Sequence, residues 1–144
     1  MTIALIGDVW MPRPVDATTL DYDTVVLNLE SPIATGCTPV PAKINLLSSE
    51  LWLPQALPSA RLVACLANNH ILDYGAEGLN QTLLTLETAG LANFGLADEG
   101  GSPQLPLILE SAGRSIALLG YVSRETSPVL GVSDKVLIEE ASES

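Results

Sequence analysis

The sequence predicts an α/β fold, a mixed sheet with flanking helices, and three features carry the prediction. The runs "TIALIG", "TVVLNL", "RLVACL" and "SIALLGYV" are almost continuously apolar, as strands buried on both faces are. "GAEGLNQTLLTLETAG" places leucines at helical spacing between the third and fourth of these runs. Strands that alternate with helices and carry near-continuous apolar runs point to an α/β sheet buried on both faces.

Each element follows from its residues. Thr2–Gly7 is a short apolar run that ends in Gly-Asp, a buried first strand. Thr24–Leu29 is rich in β-branched residues and is followed by Glu30-Ser31-Pro32, a second strand and its stop. From Pro32 to Pro41 three prolines and a glycine predict a loop. Ser49-Glu50 opens a short helix reaching Leu57, which Pro54 either kinks or begins. Arg61–Leu66 is the third strand. In the helix that follows, Leu79, Leu83 and Leu86 share a face and Gly90 is placed to stop it. "PLILE" and "SIALLGYV" are two more strands, close enough across Ser111-Ala112-Gly113-Arg114 to form a hairpin. From Thr126 the pattern weakens toward an acidic tail over 126–144.

At 144 residues the chain has the length of one domain with a real core. Six basic residues against seventeen acidic ones give a net charge of −11, which repels polyanions. Nucleic acid is excluded as a partner on that ground, and anionic membrane surfaces are disfavoured. No apolar run reaches the roughly 20 residues that span a bilayer. "MTIALIGDVW" lacks the basic start of a signal peptide, so the chain as given reads as cytoplasmic. Cys37 and Cys65 have no metal-ligand spacing and read as two unreactive buried thiols.

Chemistry concentrates where strands end. Asp8 follows the first strand, Asn28 and Glu30 lie at the end of the second, and Asn68-Asn69-His70 follow the third. In open α/β sheets ligands bind outside the carboxyl ends of strands, and parallel neighbours bring such ends together. Two carboxylates, an amide oxygen and an imidazole suit a hard-to-borderline divalent metal. Taken singly, each has an ordinary structural role. Asp8 serves a turn, Glu30 is a solvated loop carboxylate, and the only histidine is a satisfied structural residue. Asp73 caps the following helix, and Lys43 is a surface lysine.

The set taken together resembles a known family. "LIGDV", "NLESPI", Lys43 after a proline-rich loop, "LANNHILDYG", "GLNQTLLTLETAGL", "NFG" and "SIALLGY" stand in the order seen in CapA-type capsule or poly-γ-glutamate biosynthesis proteins. Those proteins resemble calcineurin-like metallophosphatases, and the likeness runs from about Ile3 to Tyr121. It implies a metallophosphatase-like α/β/β/α sandwich, of which residues 1–125 would be the N-terminal half. It also implies a divalent metal (Mn, Zn, Fe or Mg) bound by Asp8, Glu30 and Asn69. His70 would then face the leaving group, with Asp73 orienting it, and Asn28, Lys43 and Asn68 would bind substrate.

The expected substrate is an anionic polymer or a phosphoester, and family members are often membrane-anchored or extracellular. The family's second half adds histidines in a Gly-His-Pro-His type stretch, which this chain lacks. The expectation is therefore a site short of ligands, either in a fragment or in a reduced form that acts as a non-catalytic binding or assembly subunit. A sheet face left uncovered by helices would favour a homo-oligomer.

Overall fold

The computed structural model describes residues 2–16, 21–97, 105–111 and 113–122. Its elements are β1 (Ile3–Val9), β2 (Thr24–Leu29), α1 (Leu53–Ala56), β3 (Arg61–Cys65), α2 (Gly75–Thr88), β4 (Ala92–Phe94), β5 (Leu107–Ser111) and β6 (Arg114–Leu118). The fold is the α/β class that the apolar runs predicted, a four-stranded parallel sheet in the order β1-β2-β3-β4 with a β5-β6 hairpin beside it. The tail expected over 126–144 lies outside the described residues.

Alternation along the strands sorts the core into two layers. Val25, Leu27 and Leu29 of β2 and Leu62 and Ala64 of β3 face α2, where they pack with Leu79 and Leu86. Val26 of β2 and Val63 of β3 face the other way, against Phe94 of β4 and Leu109 of β5. The hairpin therefore covers part of the face that helices leave open. Leu83, expected on the buried helix stripe, is only half-buried, and Thr82 is buried beside it. Thr82 Oγ1 accepts from Ile33 N at 2.8 Å and donates to Gly78 O at 2.8 Å, which ties the loop after β2 to the helix.

Helix ends explain most differences from the expected bounds. α1 begins at Leu53 rather than Ser49 because Pro54 occupies its first turn, where a missing N–H does no harm. α2 stops as expected: Gly90 takes φ 69°, its N–H reaches Glu87 O at 3.0 Å, and Leu91 N reaches Leu86 O at 2.9 Å. Those two bonds make a Schellman motif, with Leu91 packed on the core behind it.

Two strand assignments change. β1 runs on to Val9, so Asp8 sits inside the strand rather than after it, just beyond a register irregularity between Leu5 and Asp8. β4 is only three residues long, too short to show a period in sequence. Both cysteines are free and half-buried rather than buried, and burial pushes the Cys65 thiol up.

Candidate functional site

Register brings the polar strand ends together. Asp8 of β1 pairs laterally with Asn28 of β2, and Asn28 pairs with Cys65 of β3, just before the Asn68–Asp73 turn. A backbone bond from Glu30 N to Val9 O at 3.0 Å continues the β1–β2 contact past the strand ends.

Asn68 organises the turn and is itself 5% exposed. Its Oδ1 accepts from His70 N at 2.9 Å and Ile71 N at 2.8 Å. With the oxygen so committed, its Nδ2 must face acceptors, and it donates to Leu29 O at 2.8 Å and Asn28 Oδ1 at 3.1 Å. Asn28 is oriented in turn. Its Nδ2 points at Asp8 Oδ1, 2.7 Å away, and also donates to Glu30 Oε2. One amide group thus stands between two carboxylates.

Glu30 feels that crowding. Burial, and after it the negative charge of Asp8, pushes its carboxyl above the ordinary glutamate value, while His70 and the Asn28 hydrogen bond pull it back. His70 Nε2 faces Glu30 Oε1 at 4.0 Å. The other ring nitrogen, Nδ1, lies 2.8 Å from Asp73 Oδ2.

Asp73 is fully buried and does not cap α2, whose N-cap is Tyr74 with no side-chain cap bond. Its carboxylate instead accepts from Leu46 N at 2.5 Å and pairs with Lys43 Nζ at 2.5 Å. Lys43 is not a surface lysine: its side chain is 13% exposed, and its ammonium also donates to Asn69 O at 2.5 Å. Asn69 enters this network through its carbonyl. Its side chain makes no hydrogen bond among the described residues.

The structure thus joins Asp8, Asn28, Glu30, Asn68, His70, Asp73 and Lys43 in one chain of contacts, with Asn69 attached by its backbone. The sequence alone did not indicate how much the proline-rich loop contributes. Val40 N bonds Asp73 O at 2.8 Å, and Asn45 Nδ2 holds Val40 O at 2.9 Å and Lys43 O at 3.1 Å. Trp10 Nε1 reaches Leu47 O at 3.1 Å from the end of β1. The only sequence sign of this is Lys43 and Asn45 in the otherwise apolar stretch 42–47 that follows the prolines.

Asp8 and Glu30, whose carboxylates converge on one Asn28 amide nitrogen, are the acidic side chains of this network that could hold a hard cation. Among the described residues, however, no three His, Cys, Asp or Glu side chains converge as a ready-made metal cage. No helix among them is long and apolar enough to cross a membrane.

Comparison with known proteins bears on the family of the chain. Two proteins of Sinorhizobium fredii (strain NBRC 101917 / NGR234), y4sH and y4uA, both described as uncharacterized, are each 33% identical to the chain over 60 residues. That stretch is 42% of the chain but 13% of either relative, so the match spans a small part of their length. The sequence family described as bacterial capsule synthesis protein PGA_cap matches residues 6–141, a span that takes in every residue of the network above. With nearly its whole length matched, the chain belongs to the bacterial capsule synthesis protein family.

Proposed function

We propose that the chain carries a phosphoester-hydrolysing site of the metallophosphatase kind, working in the assembly of a cell-surface polymer. One observation supports this reading above others. At the carboxyl ends of adjacent parallel strands, two carboxylates share one amide donor beside an imidazole backed by a buried aspartate. Such a set unites cation binding with proton transfer, and neither a plain turn nor a surface patch requires it.

Asp8, Glu30 and the Asn69 side-chain amide would hold one divalent cation, Mn, Zn, Fe or Mg. When bound, the ion supplies Lewis-acid polarisation of the phosphoryl group. The other roles fall to the chain itself. Asp73 accepts from His70 Nδ1, so Nε2 is the nitrogen that takes up a second proton, and the resulting imidazolium passes that Nε2 proton to the departing oxygen as general acid. Asn68 and Asn28 keep the turn and the carboxylates in register. A phosphoester, or the end group of an anionic polymer such as poly-γ-glutamate, would be drawn to the cation. The acidic surface, at −11 overall, would repel the rest of a long polyanion.

Titration calorimetry with Mn²⁺ tests the first half. One equivalent should bind weakly, because two carboxylates and an amide leave coordination positions to water. Asp8→Ala should abolish binding. Hydrolysis of bis(p-nitrophenyl) phosphate in Mn²⁺ tests the second half, with His70→Asn expected to lower kcat by about 10²- to 10⁴-fold. Absence of Mn²⁺ binding would overturn the site. Binding without hydrolysis would assign the chain to polymer binding or assembly instead of catalysis.

A further inference from the structure

We propose that Lys43 is a positioning residue: its ammonium, seated on Asp73 and on the Asn69 carbonyl, fixes His70 in the tautomer that carries its proton on Nδ1 and leaves Nε2 open toward Glu30. The inference rests on the reading of His70 as the proton-transfer group only for its functional consequence, since the clamp is present without any ligand.

The geometry points this way from both ends. A carboxylate only accepts hydrogen bonds, whereas a protonated carboxyl can donate one. Asp73 is fully buried, and the Lys43 ammonium is the positive group that its carboxylate meets there. Lys43 Nζ at 2.5 Å from Oδ1 and Leu46 N at 2.5 Å from Oδ2 both stabilise the anion, so Asp73 can only accept from His70. Nδ1, 2.8 Å from Oδ2, must then be the donor, and Nε2 carries the exchangeable position facing Glu30 at 4.0 Å. The same ammonium pins Asn69 O, so it sets both the ring and the residue preceding it.

The loop is built to deliver that lysine. Ala42, just before it, takes φ 66°, and among the described residues it is the non-glycine with a positive φ. Left-handed backbone at a residue with a side chain is costly and persists where its surroundings hold it, typically at working sites. Here Pro41 precedes it, and Asn45 Nδ2 ties down the carbonyls of Val40 and Lys43 on either side. These restraints direct the Lys43 side chain inward, beneath the Asn69–Asp73 turn. A lysine that bound only substrate would need neither the strained turn nor an aspartate with no solvent contact.

His70 is the only histidine, so ¹⁵N spectra of labelled metal-free protein report its tautomer without assignment. Above the pH range where imidazoles titrate, wild type should show the Nδ1–H pattern alone. Lys43→Met should populate Nε2–H to a comparable extent, and Lys43→Arg should restore the wild-type pattern. Far-UV circular dichroism checks that the fold survives. If Lys43→Met unfolds, Lys43→Gln, which drops the charge and keeps a donor, is read in its place.

Mn²⁺ affinity provides a second readout and should fall about 10- to 100-fold in Lys43→Met, as for other residues that support a ligand set. A dominant Nε2–H tautomer in wild type, or an unchanged Nδ1–H pattern in the folded variant, overturns the inference. Failure of wild type to bind Mn²⁺ would instead remove the metal reading and leave the tautomer result standing.

Discussion

Glu30 is where burial and charge meet most directly, and its protonation should be visible in stability. Its native carboxyl is raised above the ordinary glutamate value of 4.5, first by burial and then by Asp8. The native state therefore binds more protons than the unfolded state between that value and the raised one, so stability falls as pH climbs through this window. The contribution is fully present below the ordinary value and lost above the raised one. Urea midpoints measured in chelator across the window should decline more steeply for wild type than for Glu30→Gln, which has no proton to lose. Parallel declines would show that Glu30 titrates as if in water. Bound Mn²⁺ should reverse the preference, because a cation favours the carboxylate.

Among the elements, two glycines with positive φ separate backbone strain from steric contact. Gly90 closes α2 at φ 69°, and a Cβ added there meets nothing within 4 Å. Gly90→Ala should therefore cost only the left-handed backbone penalty, about 1–2 kcal/mol. Gly95, just past β4, has φ 92°, and its Cβ would lie 2.8 Å from Ala67 Cβ and 2.9 Å from Ala67 N. Backbone cannot yield as a flexible side chain does. Gly95→Ala should cost clearly more, on the order of 3 kcal/mol or above, and displace the segment that leads into the Asn68 turn. Denaturant midpoints of the two variants rank the costs, and equal losses would contradict this account of the close approach. The same crowding reaches Gly120, whose Cβ would fall 2.9 Å from Cys65 Sγ. "NFG" and "LLGY" are thus glycine motifs because chain segments cross there.

At the scale of the molecule, the unequal cover of the sheet predicts self-association. Leu5 pairs in register with Val26 and points to the same side, but the hairpin buries Val26 and leaves Leu5 74% exposed. Among the described residues β1 has one neighbour, β2, and its free edge is apolar up to Gly7. Exposed apolar edges of this kind template further pairing. A net charge of −11 opposes contact between copies, and salt screens that repulsion. Light scattering at micromolar concentration should show mass rising with ionic strength, and Leu5→Lys should suppress the rise. A monomer at every salt concentration would show that the edge is protected.

The sequence by itself determined β2, β3, the β5-β6 hairpin, the main helix and the list of polar residues near the strand ends, because these are local. Period, capping and turn chemistry act within a few residues, and "TVVLNL", "RLVACL" and the α2 stretch state them openly. β4 was not legible, since three residues show no period, and neither was the start of α1, where Ser49-Glu50 resembled a beginning that Pro54 made at Leu53. Partnership was decided only by the tertiary structure. A candidate list that holds Lys43 and Asp73 does not say that the ammonium turns inward to a carboxylate with no solvent contact. Nor does it say that Asn28 gives both hydrogens of one amide to Asp8 and Glu30. Those pairings join residues far apart in the chain. They arise because parallel register sets β1, β2 and β3 side by side, and because the proline-rich loop is held against the Asn68–Asp73 turn. Local propensity carries no record of either distance.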